Sequence, residues 1–325
     1  MSVTSLPAKI FRHSYSILIS LFITQDSQKS FLEEYRAALS LYQARKSSFD
    51  YNEFLMPSWK KNTDEIESFF EKKFSFSFLR NPILKSTMFA HLPTAAKRIQ
   101  KKLILEHFGY DKAKLLLKEH SVGSPILNDW QFLSSGNTIH HLYHLAKFEH
   151  ESKQSLSTIK SACELGGGYG NMARLAKALN PEMTYTIIDI PVFSFIQLVY
   201  LKTTLGTAST VLYDETTGII PGKINIVPIS RTSITNMAKV YRPDVFFSTW
   251  AISESNKATQ NLIKDLEYFK ANFLFIAYQK VNESFAFSEQ VTALPEKYKN
   301  IYQAETSYLT DNYYLIAQRK HEITD

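Results

Sequence analysis

The chain has one cysteine among 325 residues, and a lone Cys163 can form neither an internal disulfide nor a cysteine-based zinc site. That scarcity points to a reducing compartment, expected to be the cytoplasm, and away from secretion. Glycine and proline are sparse too, ten and eleven, which excludes collagen-like and low-complexity architectures. Long hydrophobic runs are missing: the best, residues 14–24 behind Lys9 and Arg12, is about half of the roughly 20 residues that a spanning helix needs. The polar Gln25-Asp26-Ser27-Gln28-Lys29 that follows offers no small-residue cleavage pattern. The segment therefore reads as a buried first helix packing on residues 31–43, where Phe31, Tyr35, Leu39 and Tyr42 recur at helical spacing.

What the chain does have is apolar mass. Hydrophobic residues make up 44% and charged residues 21%, the balance of a folded protein about twice the length of a usual single domain. The net charge of +6 lies wholly in the first half, with 20 Lys/Arg against 14 Asp/Glu in residues 1–150 and 17 against 17 in 151–325. A basic balance raises nucleic acid as a partner, yet the one dense run is Lys97, Arg98, Lys101 and Lys102, which on a helix makes a solvated face. No nucleic-acid partner is expected; an anionic substrate or a lipid headgroup fits better, and peripheral membrane contact stays open.

Periodicity divides the chain at the same place. From residue 29 to about 119 it is helical, with helices over 64–73 and 94–107, then a glycine- and serine-rich connector and a helix over 138–149. Beyond about 156, short apolar runs alternate with helical ones. Strands are expected at 159–164, 184–188, 224–229, 244–248 and 273–278, with a terminal pair at 302–306 and 313–318. Helices are expected at 171–179, 192–205 and 257–269. The alternation predicts an α/β fold with a doubly wound, mostly parallel sheet over 151–325 and a helical region over 1–150 that caps it. Such sheets bind ligands at the carboxyl ends of their strands.

Glu164-Leu165-Gly166-Gly167-Gly168-Tyr169-Gly170 follows one of these strands and opens a helix. Its glycines let the backbone turn sharply and approach a ligand closely. Counted from Gly166, a dinucleotide loop would need a third small residue where Asn171 stands. Glu164 argues further against a pyrophosphate, because a carboxylate there repels it and attracts an amino group. A cofactor that combines an ammonium, a sulfonium and a ribose is S-adenosylmethionine, and amides at the helix start suit its carboxylate. Asp189 ends the next strand nineteen residues after Gly170, placed for ribose hydroxyls or, equally, to cap the helix that Pro191 begins.

Three stretches, residues 164–170, Tyr-Thr-Ile-Ile-Asp-Ile-Pro at 185–191 and Phe-Phe-Ser-Thr-Trp-Ala-Ile-Ser-Glu at 246–254, resemble the class I S-adenosylmethionine-dependent methyltransferases. More narrowly, they resemble the sugar O-methyltransferases of bacterial surface-polysaccharide gene clusters. The resemblance is strong over about 120–280 and faint before it. It implies a seven-stranded Rossmann-like sheet and transfer of a methyl group to a sugar or glycan hydroxyl in polysaccharide biosynthesis. It also implies a cofactor site at Glu164, Gly166, Gly168, Gly170 and Asp189, extended to Gly167, Tyr169, Ile190, Thr249 and Trp250. The family tends toward an Asn-Thr pair after its fourth strand; here Ser248-Thr249 stands.

Methyl transfer to a hydroxyl needs alignment and a base. Glu254, just past the strand at 244–248, is one candidate; the alternative is an exposed position beside a helix capped by Ser253 or Ser255. The other is His140-His141-x-x-His144, with His140 and His144 one turn apart. That spacing lacks the glutamate of a zincin, and no metal is expected. Tyr278-Gln279-Lys280 could meet sugar hydroxyls. The basic front half would suit an acceptor that carries phosphates. Other small-metabolite methylation, or a binding module that keeps the fold without the chemistry, are the rival readings.

Overall fold

The computed structural model describes residues 25–88, 93–280 and 294–320; the helix expected at 14–24 lies outside them. The first half is helical: α1 (Gln25–Arg45), α2 (Pro57–Lys73), α3 (Pro82–Met88), α4 (Thr94–Phe108) and α5 (Tyr110–Leu117). A short antiparallel hairpin, β1 (Leu127–Asp129) with β2 (Ser134–Ser135), then leads into α6 (Gly136–Ser152). The second half alternates: β3 (Ser161–Leu165), α7 (Asn171–Leu179), β4 (Thr184–Asp189), α8 (Pro191–Leu205), β5 (Thr210–Leu212), β6 (Ile224–Pro228), α9 (Arg231–Val240) and β7 (Val245–Thr249). It ends with α10 (Ala251–Glu254), α11 (Lys257–Asp265), β8 (Phe273–Gln279), β9 (Tyr298–Glu305) and β10 (Asn312–Arg319).

Among the described residues eight strands form the main sheet in the order β5-β6-β4-β3-β7-β8-β10-β9, one more than expected; the addition is the three-residue β5 at the edge. All pairs are parallel except those of β10, which runs antiparallel between β8 and β9. The chain goes from β3 to β4 on one side and later returns to β7 on the other, so the crevice between β3 and β7 is the topological switch point, where such sheets place ligands.

Several boundaries differ from the expectation for local reasons. Pro57 occupies the first turn of α2, where its fixed φ and missing N–H cost nothing, so that helix starts before the acidic Asp64-Glu65 pair. β3 begins at Ser161 because Ile159 is still held in a turn by Leu156 O. The helix expected to reach residue 269 stops at Asp265. Glu267, Tyr268, Phe269 and Lys270 all take φ between 50° and 58°, a left-handed turn tied down by Arg319 on Glu267 and by Tyr298, which donates to Glu267 O.

The front helices share the core of the sheet. α8 is buried along most of its length, as expected of a helix that is apolar all round. Tyr42 of α1 meets Phe195 of α8 with ring centroids 5.1 Å apart at 67°, and Phe31, Phe70, Phe74 and Phe78 extend the same aromatic cluster. Glu34 adds a polar tie, accepting from Thr207 and lying 3.8 Å from Lys202. Among the described residues no helix is long and apolar enough to cross a membrane.

Candidate functional site

A cleft of about 500 Å³ opens at the carboxyl ends of β3, β4 and β7, within the size range of small-molecule sites. The glycine loop forms its floor. Gly166 takes φ +78°, and a Cβ there would sit 2.1 Å from the Cβ of Ala251. A Cβ on Gly167 would lie 2.5 Å from Ile187 and 3.3 Å from Glu164 Oε2. Gly168 differs: at φ +57° the nearest atom to a Cβ is Met88 Cγ at 3.9 Å, so its backbone faces open space that a side chain would take. Gly170 does not line the cleft; its Cβ would meet Leu201 at 2.9 Å, so this glycine seats the start of α7 against α8.

Two carboxylates face the cleft from adjacent strand ends. Glu164, only 2% exposed, accepts from the Tyr185 hydroxyl on Oε2 at 2.9 Å. Burial pushes its pKa up to about 8, opposed by Tyr185 and assisted by the charge of Asp189. Asp189 accepts from Ile190 N on Oδ1 at 2.8 Å and from Gln197 Nε2 on Oδ2 at 2.8 Å. Burial lifts its pKa to about 7, against hydrogen bonds from Ile190, Gln197 and the loop backbone. Asp189 is not the helix cap: Ile190 occupies that position on α8 and no side chain caps it. Gln197 also donates to Gly168 O at 2.9 Å, so one amide nitrogen holds the glycine loop and the second carboxylate together.

The cleft's far wall comes from α6 and from the turn after β7. Ser135 caps α6 by accepting from Thr138 N, which fixes the helix that carries the histidines. His140 Nδ1 lies 2.8 Å from Gln100 Nε2, and His144 Nε2 lies 3.0 Å from the Tyr314 hydroxyl, which pairs with Tyr308 at 2.6 Å. Their other nitrogens, His140 Nε2 and His144 Nδ1, are buried without a partner among the described residues. Burial drives His140 down to about 3 and His144 well below its usual value, with neighbouring histidines adding to both shifts. Both are neutral near pH 7 and weak as bases. Among the described residues no group of three or more His, Cys, Asp and Glu side chains could hold a metal ion.

Trp250 takes φ 65°, an uncommon conformation of the kind that gathers at functional turns. Its indole stacks on His140 with centroids 5.3 Å apart at 29°, so one face is already covered, and its N–H donates to Asn312 Oδ1. The turn points α10 into the cleft. Glu254 lines it, partly buried, with its pKa raised by that burial, and accepts from Gln279 Nε2 at 3.3 Å. The cap of α11 is Asn256, which accepts from Thr259 N, rather than Ser253 or Ser255. Ser253 instead donates to Trp250 O and accepts from Gln279 N, bracing the turn.

The structure thus gathers Glu164, Gly166, Gly167, Gly168, Tyr169, Asp189, Ile190, Thr249, Trp250, Glu254, His140 and His144 around one cleft. Tyr278, Gln279 and Lys280 stay behind it: Gln279 reaches Glu254, and Tyr278 accepts from Gln303. The basic run also stands elsewhere, on α4, with Lys101 paired to Asp129 and Lys102 to Glu106. Sequence reasoning missed Gln197, Tyr185 and the cover that Trp59 and Met88 give from α2 and α3, and it named His141 only within the histidine run, without a role of its own. Only His141 carried a signal, in its place beside His140.

No family model matches the chain, and no curated protein matches it. Among solved structures it is similar to the mitomycin 7-O-methyltransferase MmcR, at 11% identity over 68% of this chain and 68% of that one, with a TM-score of 0.37. It is also similar to M. capricolum TrmK in complex with S-adenosyl-homocysteine, at 12% identity over 55% and 70%, TM-score 0.37. A third is a SAM-dependent methyltransferase from Aquifex aeolicus, at 12% identity over 55% and 92%, TM-score 0.38. Likenesses this distant carry nothing about chemistry, which rests on the residues of the cleft.

Proposed function

We propose that the protein is an S-adenosylmethionine-dependent O-methyltransferase that acts on a hydroxyl of a sugar or glycan. One observation carries the reading: Glu164, buried, and Asp189, partly buried, face a single cleft across a glycine loop whose Gly168 leaves its backbone open. Buried carboxylates are costly unless a partner repays them. Here the donors cover only part of their capacity, and Glu164 Oε1 has none among the described residues. Glu164 would accept from an ammonium, Asp189 from ribose hydroxyls, and Gly168 would let the cofactor lie against the main chain.

When bound, the cofactor supplies a methyl group on a sulfonium that is open to in-line displacement. The chain supplies the proton acceptor. Glu254 is the stronger base of the candidates, because burial raises its proton affinity while it depresses that of His140 and His144. Those histidines hydrogen-bond and pack rather than titrate. The lining suits a sugar, with Trp59 and Trp250 for apolar faces and Asn62, Asn137 and Ser255 for hydroxyl edges, and the motif resemblance points to the same acceptor class.

The test is transfer of labelled methyl from S-adenosylmethionine to a panel of free sugars, nucleotide-linked sugars and lipid-linked glycans, with the new ether located by NMR. Transfer to a sugar hydroxyl is expected. Transfer only to non-sugar metabolites would overturn the acceptor, and S-adenosylhomocysteine binding with no transfer to anything would leave a binding module.

A further inference from the structure

His141 lies between the two histidines considered as bases, and its protonation is set by neighbours that leave no choice. The guanidinium nitrogen Nε of Arg174, which can only donate, gives a 2.9 Å hydrogen bond to Asn171 Oδ1, and the Tyr200 hydroxyl adds another at 3.2 Å. The Asn171 amide is thereby oriented, and its nitrogen spends one hydrogen on Thr138 Oγ1 at 3.1 Å and the other on His141 Nδ1 at 3.1 Å. Asn171 is fully buried, so no water competes. His141 Nδ1 must then be the acceptor, and the ring proton resides on Nε2, on the side of the imidazole away from Asn171. Gln100, whose Oε1 has no partner among the described residues, imposes no such orientation on His140.

The ring of His141 lines the cleft beside Gly168 and Tyr169, and its Nε2 has no protein partner among the described residues. Asn171 is also the first residue of α7, so the donor stands next to a helix start whose partial charge is positive. Donors and a positive field repel an ammonium and suit an anion. Glu164 offers only acceptors, so the two ends of an amino-acid group would be sorted between them.

Resting on the cofactor reading above, we propose that His141 is a permanently neutral Nε2–H donor for the carboxylate of the cofactor's amino-acid end. Burial and the Arg174 charge also push its pKa down to about 4, which keeps it neutral at working pH.

Calorimetry with two ligands tests this: S-adenosylhomocysteine, and 5′-deoxy-5′-methylthioadenosine, which keeps the nucleoside and sulfur but lacks the amino-acid group. His141→Ala should weaken S-adenosylhomocysteine by about tenfold to a hundredfold, the loss of one charge-assisted hydrogen bond. It should leave methylthioadenosine within about twofold. His141→Gln, whose amide nitrogen falls near the lost Nε2, should recover most of the difference. Equal weakening of both ligands, or none of either, would overturn the assignment in favour of a packing role. Wild-type protein that binds neither ligand would overturn the cofactor reading and the assignment with it.

Discussion

Replacing Glu164 with Gln should make the ligand-free protein more stable, and increasingly so as pH rises. The side chain is 2% exposed, and its pKa is lifted from 4.5 to about 8 by burial. Because the folded value is above the unfolded one, the carboxyl's contribution to stability is full below the unfolded value and is lost as pH rises through about 8. Each pH unit in that window costs about 1.4 kcal/mol, so between about pH 5.5 and about pH 8.5 wild type should lose about 3 kcal/mol that the variant keeps. Gln retains an oxygen for the Tyr185 hydroxyl, so the swap changes charge while keeping shape. Asp189 titrates in both proteins, but its charge and that of Glu164 repel each other, so the neutral amide of Glu164→Gln eases its ionisation and widens the gap in the same direction. Urea denaturation of both proteins at the two pH values reads the gap directly. Saturating S-adenosylhomocysteine should reverse the order, since only wild type offers the ammonium a carboxylate and ligand binding adds to the stability of the form that binds. A gap that stays constant or narrows with pH would refute the desolvated carboxyl; a variant that binds the ligand as wild type does would refute its role.

Gly166→Ala should cost about 3 kcal/mol or more in denaturant unfolding, because the new Cβ falls 2.1 Å from Ala251 in a positive-φ position; an unchanged midpoint would show that α10 yields easily. Glu254→Gln should lower kcat by about a hundredfold to ten-thousandfold with S-adenosylhomocysteine affinity unchanged. Full activity in that variant would send the search for the base back to the histidines.

The parts of the site legible in the sequence are those set by local chemistry. The loop from Gly166 to Gly170 and the strand ends at Glu164 and Asp189 announce themselves by spacing and turn residues, whereas Trp250 stands out only through its motif and not as a left-handed turn. What stayed hidden depends on contacts across the fold. Gln197 reads as one more residue of an apolar helix until its amide is seen to reach Gly168 and Asp189. Tyr185 reads as a strand aromatic, and its bond to Glu164 follows only from the parallel register of β3 and β4. The tautomer of His141 depends on Asn171 and Arg174, thirty residues or more along the chain. β5 and the β1–β2 hairpin are too short for periodicity to speak. The left-handed turn at Glu267–Lys270 runs against the helical preference of its own residues, and it is held by Arg319 and Tyr298 from β10 and β9 and by the packing of Tyr268 and Phe269 on Phe246.

The cover that α1 gives to α8 sets a limit on how this protein can change. A helix without a polar side cannot be displayed to water, so whatever chain replaced Phe31, Glu34, Ala38 and Tyr42 would have to reproduce an aromatic and aliphatic surface shaped to α8. Substitution is freer at the positions of α2 and α3 that line the cleft, such as Asn62 and Ser86, than at Ile66, Phe70 and Leu84, which sit in the core. The helix before them is bound to the sheet as a matched pair. Diversification should therefore proceed by substitution over the cleft rather than by wholesale exchange of the front half. A chimera that joined this sheet to a foreign cap without α1 would inherit an adhesive flank before it gained any new specificity.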